Sequence, residues 1–150
     1  MKQKNIIIAI IVLVVLVVFI WLASRLSDHG TLAIPGGELD VLVADNFYEH
    51  QKGLSGTEFD TLGADGMIFL FNDQQQRTFW MKGMNYDLDI VWIADGKIVK
   101  IKRDVPAPEA GEEPAQMHSR PFEVDMVLEL PAGGVAQARL LIGHFVEFNR

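Results

Sequence analysis

The stretch that decides the fold runs from Phe79 to Asp104 and reads FWMKGMNYDLDIVWIADGKIVKIKRD. It holds two runs rich in β-branched residues, and Asp95-Gly96 separates them. Asp-Gly between such runs is a strong signal for a two-residue turn, because both central residues must take positive φ. The stretch is therefore predicted to form a β-hairpin.

The turn also predicts which residues of the hairpin face each other. In a type I′ turn with Asp95 and Gly96 at its centre, opposite residues are equally far from the turn. The predicted partners are Ile93 with Ile98, Val91 with Lys100, and Asp89 with Lys102. This register pairs an acidic side chain with a basic one across the two strands.

The charge of the chain argues against nucleic acid as a partner. The formal net charge is −7, and three of the thirteen basic residues, Lys2, Lys4 and Arg25, precede the first acidic residue, Asp28. The remainder carries 10 basic against 20 acidic side chains, whereas clustered lysine and arginine drive nucleic-acid binding. Because the chain has no cysteine, disulfides, thiolate metal sites, a cysteine nucleophile and a lipoprotein anchor are excluded.

The N-terminal residues 1–25 are predicted to form a transmembrane anchor. Residues 6–23 are apolar and uncharged, and a helix of that length spans about 27 Å, close to the thickness of a bilayer's hydrocarbon core. The positive charge at the N-terminal end predicts a single-pass membrane protein with a cytoplasmic N-terminus and an extracytoplasmic domain. A cleaved signal peptide is the alternative, although Leu22-Ala23-Ser24 matches a cleavage site poorly. Residues 26–37, which are polar and contain glycine and proline, are predicted to be a tether.

Residues 38–150 are predicted to form one β-rich domain. Alternation or short apolar runs predict strands at 38–44, 67–71, 79–82, 123–130 and 144–148, in addition to the hairpin. Short helices are expected at 47–52, with Asp45-Asn46 as N-cap and Gly53 as stop, and near 135–141. Four prolines in residues 105–121 predict a solvated loop or mobile flap. The predicted fold is mainly β with one or two short helices, a small partly closed barrel-like domain preceded by one transmembrane helix.

Five segments resemble a known family. They read KGLSG at 52–56, GMIFLF at 66–71, FWMK at 79–82, LDIVWI at 88–93 and VLELPAG at 127–133. Together they are similar to the family named domain of unknown function 192, over about residues 38–149. The resemblance implies a compact, mainly β, barrel-like fold that is often secreted or membrane-anchored, with no established activity.

The candidate ligand-binding residues are grouped in and near the hairpin. An indole ring can serve as a stacking platform, and lysine and aspartate on adjoining strands can orient a polar ligand. A plain cross-strand ion pair over a core tryptophan is the simpler alternative. The candidates are Trp80, Lys82, Asp87, Asp89 and Lys102.

Other polar residues carry weaker hypotheses. Asp87 and Asp104 would face each other if the ladder extended that far, and two close carboxylates could share a proton or hold a cation. The spacing of His118 and His144 matches no metal motif, and Ser55 lacks the setting of a nucleophile elbow. No cofactor and no metal site are predicted, and no catalytic residue can be assigned.

Three functions remain open at this point. We expect a membrane-anchored extracytoplasmic domain that binds a small ligand or an envelope component in a cleft near Trp80, Lys82 and Asp89, under the proline-rich loop. The first alternative is a hydrolase-type enzyme with Asp87, Asp89 or His118 as acid and base. The second is a structural partner of another envelope protein.

Overall fold

The domain is built mainly of β-strands, as the sequence predicts. The structure, a computed structural model, describes residues 11–16 and 28–150. Within these residues the strands are β1 (His29–Ile34), β2 (Gly37–Ala44), β3 (Gly66–Gln75), β4 (Thr78–Trp80), β5 (Leu88–Ala94), β6 (Lys97–Val105), β7 (Gln116–His118), β8 (Val124–Pro131) and β9 (Glu147–Asn149). The short helices are α1 (Phe47–Lys52), a 3₁₀ turn (Phe59–Thr61) and α2 (Gly134–Gln137).

Seven strands form one sheet that curls into a half-barrel. Their order is β6-β5-β8-β3-β2-β1-β9, while β4 and β7 form a separate two-stranded sheet. Neighbouring strands are antiparallel except for the parallel pair β2 and β3. The C-terminal segment connects the two edges, because Phe145 bridges to Lys97 at the start of β6 before β9 pairs with β1. The bridge covers part of the β6 edge, which would otherwise expose unpaired backbone groups.

The predicted hairpin is confirmed, and its register is only partly as expected. Asp95 and Gly96 both have positive φ, at 49° and 72°, and Ile93 faces Ile98 as predicted. Beyond that pair the register shifts by one residue, so Lys100 faces Trp92 and Lys102 faces Ile90. The predicted pairing of Asp89 with Lys102 is therefore wrong. An extra residue on β6 next to the turn produces the shift, which turn chemistry alone does not specify.

Both faces of the central strands are buried. On β5, Leu88, Ile90 and Trp92 belong to one apolar core, whereas Val91 and Ile93 belong to another on the opposite face. The core that contains Trp92 is covered by the segment after α1 and by β4 and β7. The second core is covered by α2 and the C-terminal segment. A strand buried on both faces has no solvent-facing side, so any polar side chain on it needs an internal partner or an internal cavity.

Two segments that the sequence assigns to connections contain strands. Residues 29–34, expected within the tether 26–37, form β1 and pair with both β2 and β9. The expected solvated loop 105–121 contains β7, whose residues Gln116–His118 pair with β4. Each strand has a partner distant in sequence, so local composition did not reveal it.

The predicted anchor at residues 6–23 lies mostly outside the described residues. Residues 11–16 are helical. Across 11–16 and 28–150 we find no helix with the length and hydropathy that a bilayer crossing needs.

Candidate functional site

A cavity of about 520 Å³ opens between α1 and the small β4–β7 sheet. Its volume lies in the usual range for small-molecule sites. Strands β3 and β8 of the half-barrel form its floor. The walls are mostly aromatic, aliphatic and uncharged side chains, and the aromatic residues among them are Phe47, Phe69, Phe71, Phe79 and Trp80.

Glu129 on β8 provides the acidic side chain at this cavity. It faces Ile90 on β5 and Met67 on β3, and the residue is 5% exposed. Among the described residues, no hydrogen bond or ion pair to its carboxyl group is formed. Burial alone raises the pKa of Glu129 to about 8. At neutral pH this carboxyl is therefore mostly protonated, and it holds an unused hydrogen-bonding capacity inside the cavity.

Helix α1 forms one wall, and local sequence explains its position. The Asn46 side chain accepts a hydrogen bond from the Glu49 backbone N–H at 3.1 Å, which caps the helix as predicted. The helix stops at Gly53, where φ is 48° and a Cβ atom would lie only 3.2 Å from the Phe69 ring and 3.9 Å from Glu129 Oε2. Glycine is required there both by conformation and by the close approach to the cavity floor.

His50 holds α1 against the sheet through hydrogen bonds. Its Nε2 lies 3.1 Å from the backbone oxygens of both Ala44 and Leu70, so this nitrogen carries the proton. The imidazole ring also packs against Phe71 with ring centroids 4.5 Å apart. These contacts orient His50 toward backbone acceptors rather than toward Glu129.

Arg77 and the phenyl rings form the opposite wall. The Arg77 guanidinium lies 3.9 Å from the Phe71 ring centroid and forms an ion pair with Asp73. Phe69 and Phe79 meet edge to face with centroids 4.9 Å apart. Trp80 is 45% exposed at the rim. The wall therefore offers aromatic faces near the opening, and its guanidinium already has an acidic partner.

The five predicted ligand-binding residues are not brought together. Trp80 lines the cavity, and exposed Lys82 lies near it, with Nζ 5.5 Å from the indole centroid. Asp87 is exposed and accepts a hydrogen bond from the Ala107 backbone N–H at 2.8 Å. Lys102 is exposed on β6. Only Trp80 of the five borders the cavity.

Asp89 lies on the opposite face of β5 and serves a different purpose. Its Oδ1 accepts a hydrogen bond from the Asp104 N–H at 2.9 Å, and its Oδ2 accepts from the Gly133 and Val135 N–H groups at 3.1 and 3.0 Å. The residue is fully buried. Asp89 thus joins β5 to Asp104 near the end of β6 and to the first turn of α2, which lies more than forty residues further along the chain.

The structure also places the residues of the other sequence hypotheses. Asp87 and Asp104 do not face each other, because Leu88 pairs with Val105. His118 Nδ1 lies 2.9 Å from the Thr78 hydroxyl across the β4–β7 pair. Within residues 11–16 and 28–150, no group of three or more His, Cys, Asp or Glu side chains is arranged to hold a metal ion.

Sequence reasoning did not identify Glu129, although a signal was present. Alternation assigned it to the polar face of the strand at 123–130, yet the neighbouring Val127 on that face is fully buried. A glutamate within the apolar run VLELP indicates a strand covered on both sides. The missing information was that β8 lies between β5 and β3.

A second cavity of about 530 Å³ borders Leu130 and Pro131 at the C-terminal end of β8. It is bordered by the β1–β2 turn and α2, and its charged residues are Glu38, Asp65 and Arg139. The Asp65 carboxylate accepts a hydrogen bond from the Asp40 N–H at 2.8 Å. Because no deeply buried ionisable side chain borders it, this cavity is the weaker candidate.

Two solved structures are similar to this chain in sequence and in fold. Comparison with curated proteins gives no match. A crystal structure from Sinorhizobium meliloti 1021, provisionally called a transcription regulator, is 29% identical, covers 81% of this chain and 95% of its own, and has a TM-score of 0.68. A protein of unknown function from Novosphingobium aromaticivorans DSM 12444 is also 29% identical, covers 81% of this chain and 84% of its own, and has a TM-score of 0.61.

The family model agrees with the resemblance seen in the five sequence segments. The model of domain of unknown function 192, described as "Uncharacterized ACR", matches residues 31–148. The match begins within β1 and ends within β9, and so includes almost the whole half-barrel. The chain belongs to the family of domain of unknown function 192.

Proposed function

We propose that this domain binds a small ligand in the cavity between α1 and the β4–β7 sheet. The observation that carries the proposal is Glu129, a buried carboxyl that has no partner among the described residues and borders a cavity lined by aromatic rings. A few fixed polar groups among apolar walls are typical of small-molecule sites. The ligand would place an apolar body between the rings and a polar group next to the carboxyl.

The free-energy cost of Glu129 supports a binding role over a purely structural one. A buried polar group without a partner costs about 1–3 kcal/mol, and more if it is ionised. A leucine or methionine at this position would fill the space without that cost. Perturbed carboxyl groups that open into a cleft are functional-site candidates for this reason.

We further propose that the domain is held at a membrane by residues 6–23, with the N-terminus in the cytoplasm and the domain outside it. What supports this is the sequence: eighteen uncharged apolar residues follow two lysines, and the first residue of β1 is His29. Expressed with a C-terminal tag in a bacterial host, the chain should stay in the membrane pellet after a carbonate wash. Protease added to intact spheroplasts should digest the tagged domain. If the domain is digested only after the spheroplasts are lysed, this orientation is wrong.

The ligand site is tested with methionine methyl groups as reporters. Met84 borders the cavity, whereas Met126 packs in the core on the other face of the sheet. The full chain, labelled with ¹³C at its methionine methyls, is screened against neutral, cationic and anionic ring-bearing fragments. Fragments that occupy the site should shift the Met84 resonance and leave the Met126 resonance unchanged.

Two matched tryptophan variants locate the bound fragment. Gln116 and Gln137 are both exposed, and they border the first and second cavity respectively. Gln116→Trp should narrow the first cavity and weaken binding, and Gln137→Trp should leave binding unchanged. The reverse pattern, or a library in which no fragment shifts Met84, would contradict the proposed function.

A further inference from the structure

We infer that the ligand of this cavity carries a positively charged nitrogen on an apolar body, as an arylalkyl ammonium ion does, and that Glu129 recognises the charge. This inference rests on the proposed function, because it names the class of ligand that the same cavity takes. It follows from the charged groups around Glu129, from the rings beside it, and from the charge of the whole domain.

Within residues 11–16 and 28–150, no basic side chain forms an ion pair with Glu129. The titratable and charged groups on the elements around it are His50 and Lys52 from α1, Arg77 before β4, and Tyr86 and the exposed Lys82 after β4. His50 binds two backbone oxygens, Arg77 pairs with Asp73, and Lys52 is exposed. The Tyr86 hydroxyl lies 3.0 Å from the Thr57 hydroxyl. In the part of the chain that the structure describes, the site thus holds one acidic group that has no cationic partner.

The surroundings favour an organic cation over a metal ion. Phe69 and Phe79 border the cavity, and Trp80 lies at its rim; aromatic faces attract ammonium groups. A divalent cation needs several oxygen ligands, and the described part of the chain gathers no cluster of carboxylates or imidazoles at this place. One carboxyl with aromatic walls fits a single positive charge attached to an apolar body.

Long-range electrostatics favour the same sign of charge. The residues after the N-terminal segment carry 10 basic and 20 acidic side chains, so the domain attracts cations and repels anions. An anionic ligand would be repelled by the ionised form of Glu129 and could bind only beside the protonated form. A neutral ligand could accept a hydrogen bond from the protonated carboxyl. The pH dependence of the ligand's affinity distinguishes this alternative from binding of a cation.

Binding of a cation should be linked to release of a proton. Because burial raises the pKa of Glu129 to about 8, the empty site is mostly protonated at pH 7 and an ammonium ligand must displace that proton. An alkylammonium itself stays charged across this range, as lysine does. Affinity for the cation should therefore increase from pH 6 to pH 8, whereas affinity for a neutral hydrogen-bond acceptor should decrease.

The experiment compares three phenyl-bearing probes of similar size on the full chain: phenethylammonium, 2-phenylethanol and phenylacetate. Dissociation constants come from titration of the Met84 methyl resonance at pH 6, 7 and 8. We expect phenethylammonium to bind about tenfold more tightly than 2-phenylethanol at pH 8, the equivalent of about 1.4 kcal/mol, with a smaller ratio at pH 6. Glu129→Gln should remove the preference without weakening 2-phenylethanol, while the unchanged Met126 resonance reports an intact fold.

The outcomes separate this inference from the proposed function. If 2-phenylethanol or phenylacetate shifts Met84 with equal or higher affinity, or if Glu129→Gln keeps the preference for the cation, the inference is wrong although the cavity still binds ligands. If none of the three probes shifts Met84, the inference is wrong, and the broader fragment screen then decides whether the cavity binds anything. If Glu129→Gln does not fold, the pH dependence of phenethylammonium affinity in the unmodified chain still tests the inference.

Discussion

Replacement of Asp89 by alanine should destabilise the domain strongly, because the side chain holds three elements together. Its carboxylate accepts hydrogen bonds from the backbone N–H groups of Asp104, Gly133 and Val135 at 2.9–3.1 Å. All three donors lose their acceptor in the alanine variant. The start of α2 and the C-terminal end of β6 then lose their hydrogen bonds to the centre of the sheet.

The size of the effect follows from these three contacts. A buried donor without an acceptor costs about 1–3 kcal/mol, and water that enters the vacated space recovers part of this cost. We expect Asp89→Ala to lower the free energy of unfolding by about 4 kcal/mol, a large share of the 5–15 kcal/mol that is ordinary for a domain. Asp89→Asn keeps one acceptor oxygen and should lose about 2 kcal/mol, because its amide NH₂ must face at least one of the donors.

Urea unfolding at pH 7, followed by far-UV circular dichroism, measures these differences. Asp87→Ala is the matched control, because Asp87 is exposed and accepts a single hydrogen bond from Ala107. We expect it to change stability by less than about 1 kcal/mol. A loss below about 1 kcal/mol for Asp89→Ala would refute the reasoning, and so would equal losses for the two alanine variants.

Two further predictions concern the cavity floor and the strand beside it. The pKa of Glu129 in the folded domain, about 8, lies above its ordinary value of 4.5, so ionisation of this carboxyl opposes folding. The free energy of unfolding should therefore fall as pH rises from 4.5 to 8, by up to about 1.4 kcal/mol per pH unit. Glu129→Gln should therefore match the unmodified chain at pH 4.5 and exceed it in melting temperature at pH 8, and parallel pH profiles would contradict this. A Cβ on Gly66 would lie 2.2 Å from the backbone oxygen of Glu129, so Gly66→Ala should destabilise the domain by about 1–3 kcal/mol or more. Gly37→Ala, with open space around it and φ outside the left-handed region, is the control and should be neutral in the same urea assay.

The parts of the fold that depend on adjacent residues could be predicted from the sequence. Asp95-Gly96 determines a hairpin because its two residues tolerate positive φ. Asn46 and Gly53 determine the ends of α1 because a cap and a left-handed stop act within one helical turn. The five family segments likewise identified the mainly β fold. Each of these predictions needed only neighbours along the chain.

The candidate site depended on information that the sequence does not display. Trp80 was chosen because an indole ring can serve as a stacking platform, and it borders the cavity, whereas Asp89 was assigned to the same cleft and lies on the opposite face. A one-residue bulge on β6 was enough to separate Asp89 from Lys102. Alternation along a strand says which residues share a face, and it does not say what covers that face.

The sequence by itself determined the hairpin turn, the ends of α1, the acidic charge of the domain and its family, because each follows from a few contiguous residues or from composition. Only the tertiary structure decided that Asp89 receives three backbone amides and that Glu129 receives none. The physical reason is that the free energy of a buried charge depends on the donors around it. Those donors come from segments that are distant in sequence and are brought together only when the sheet forms.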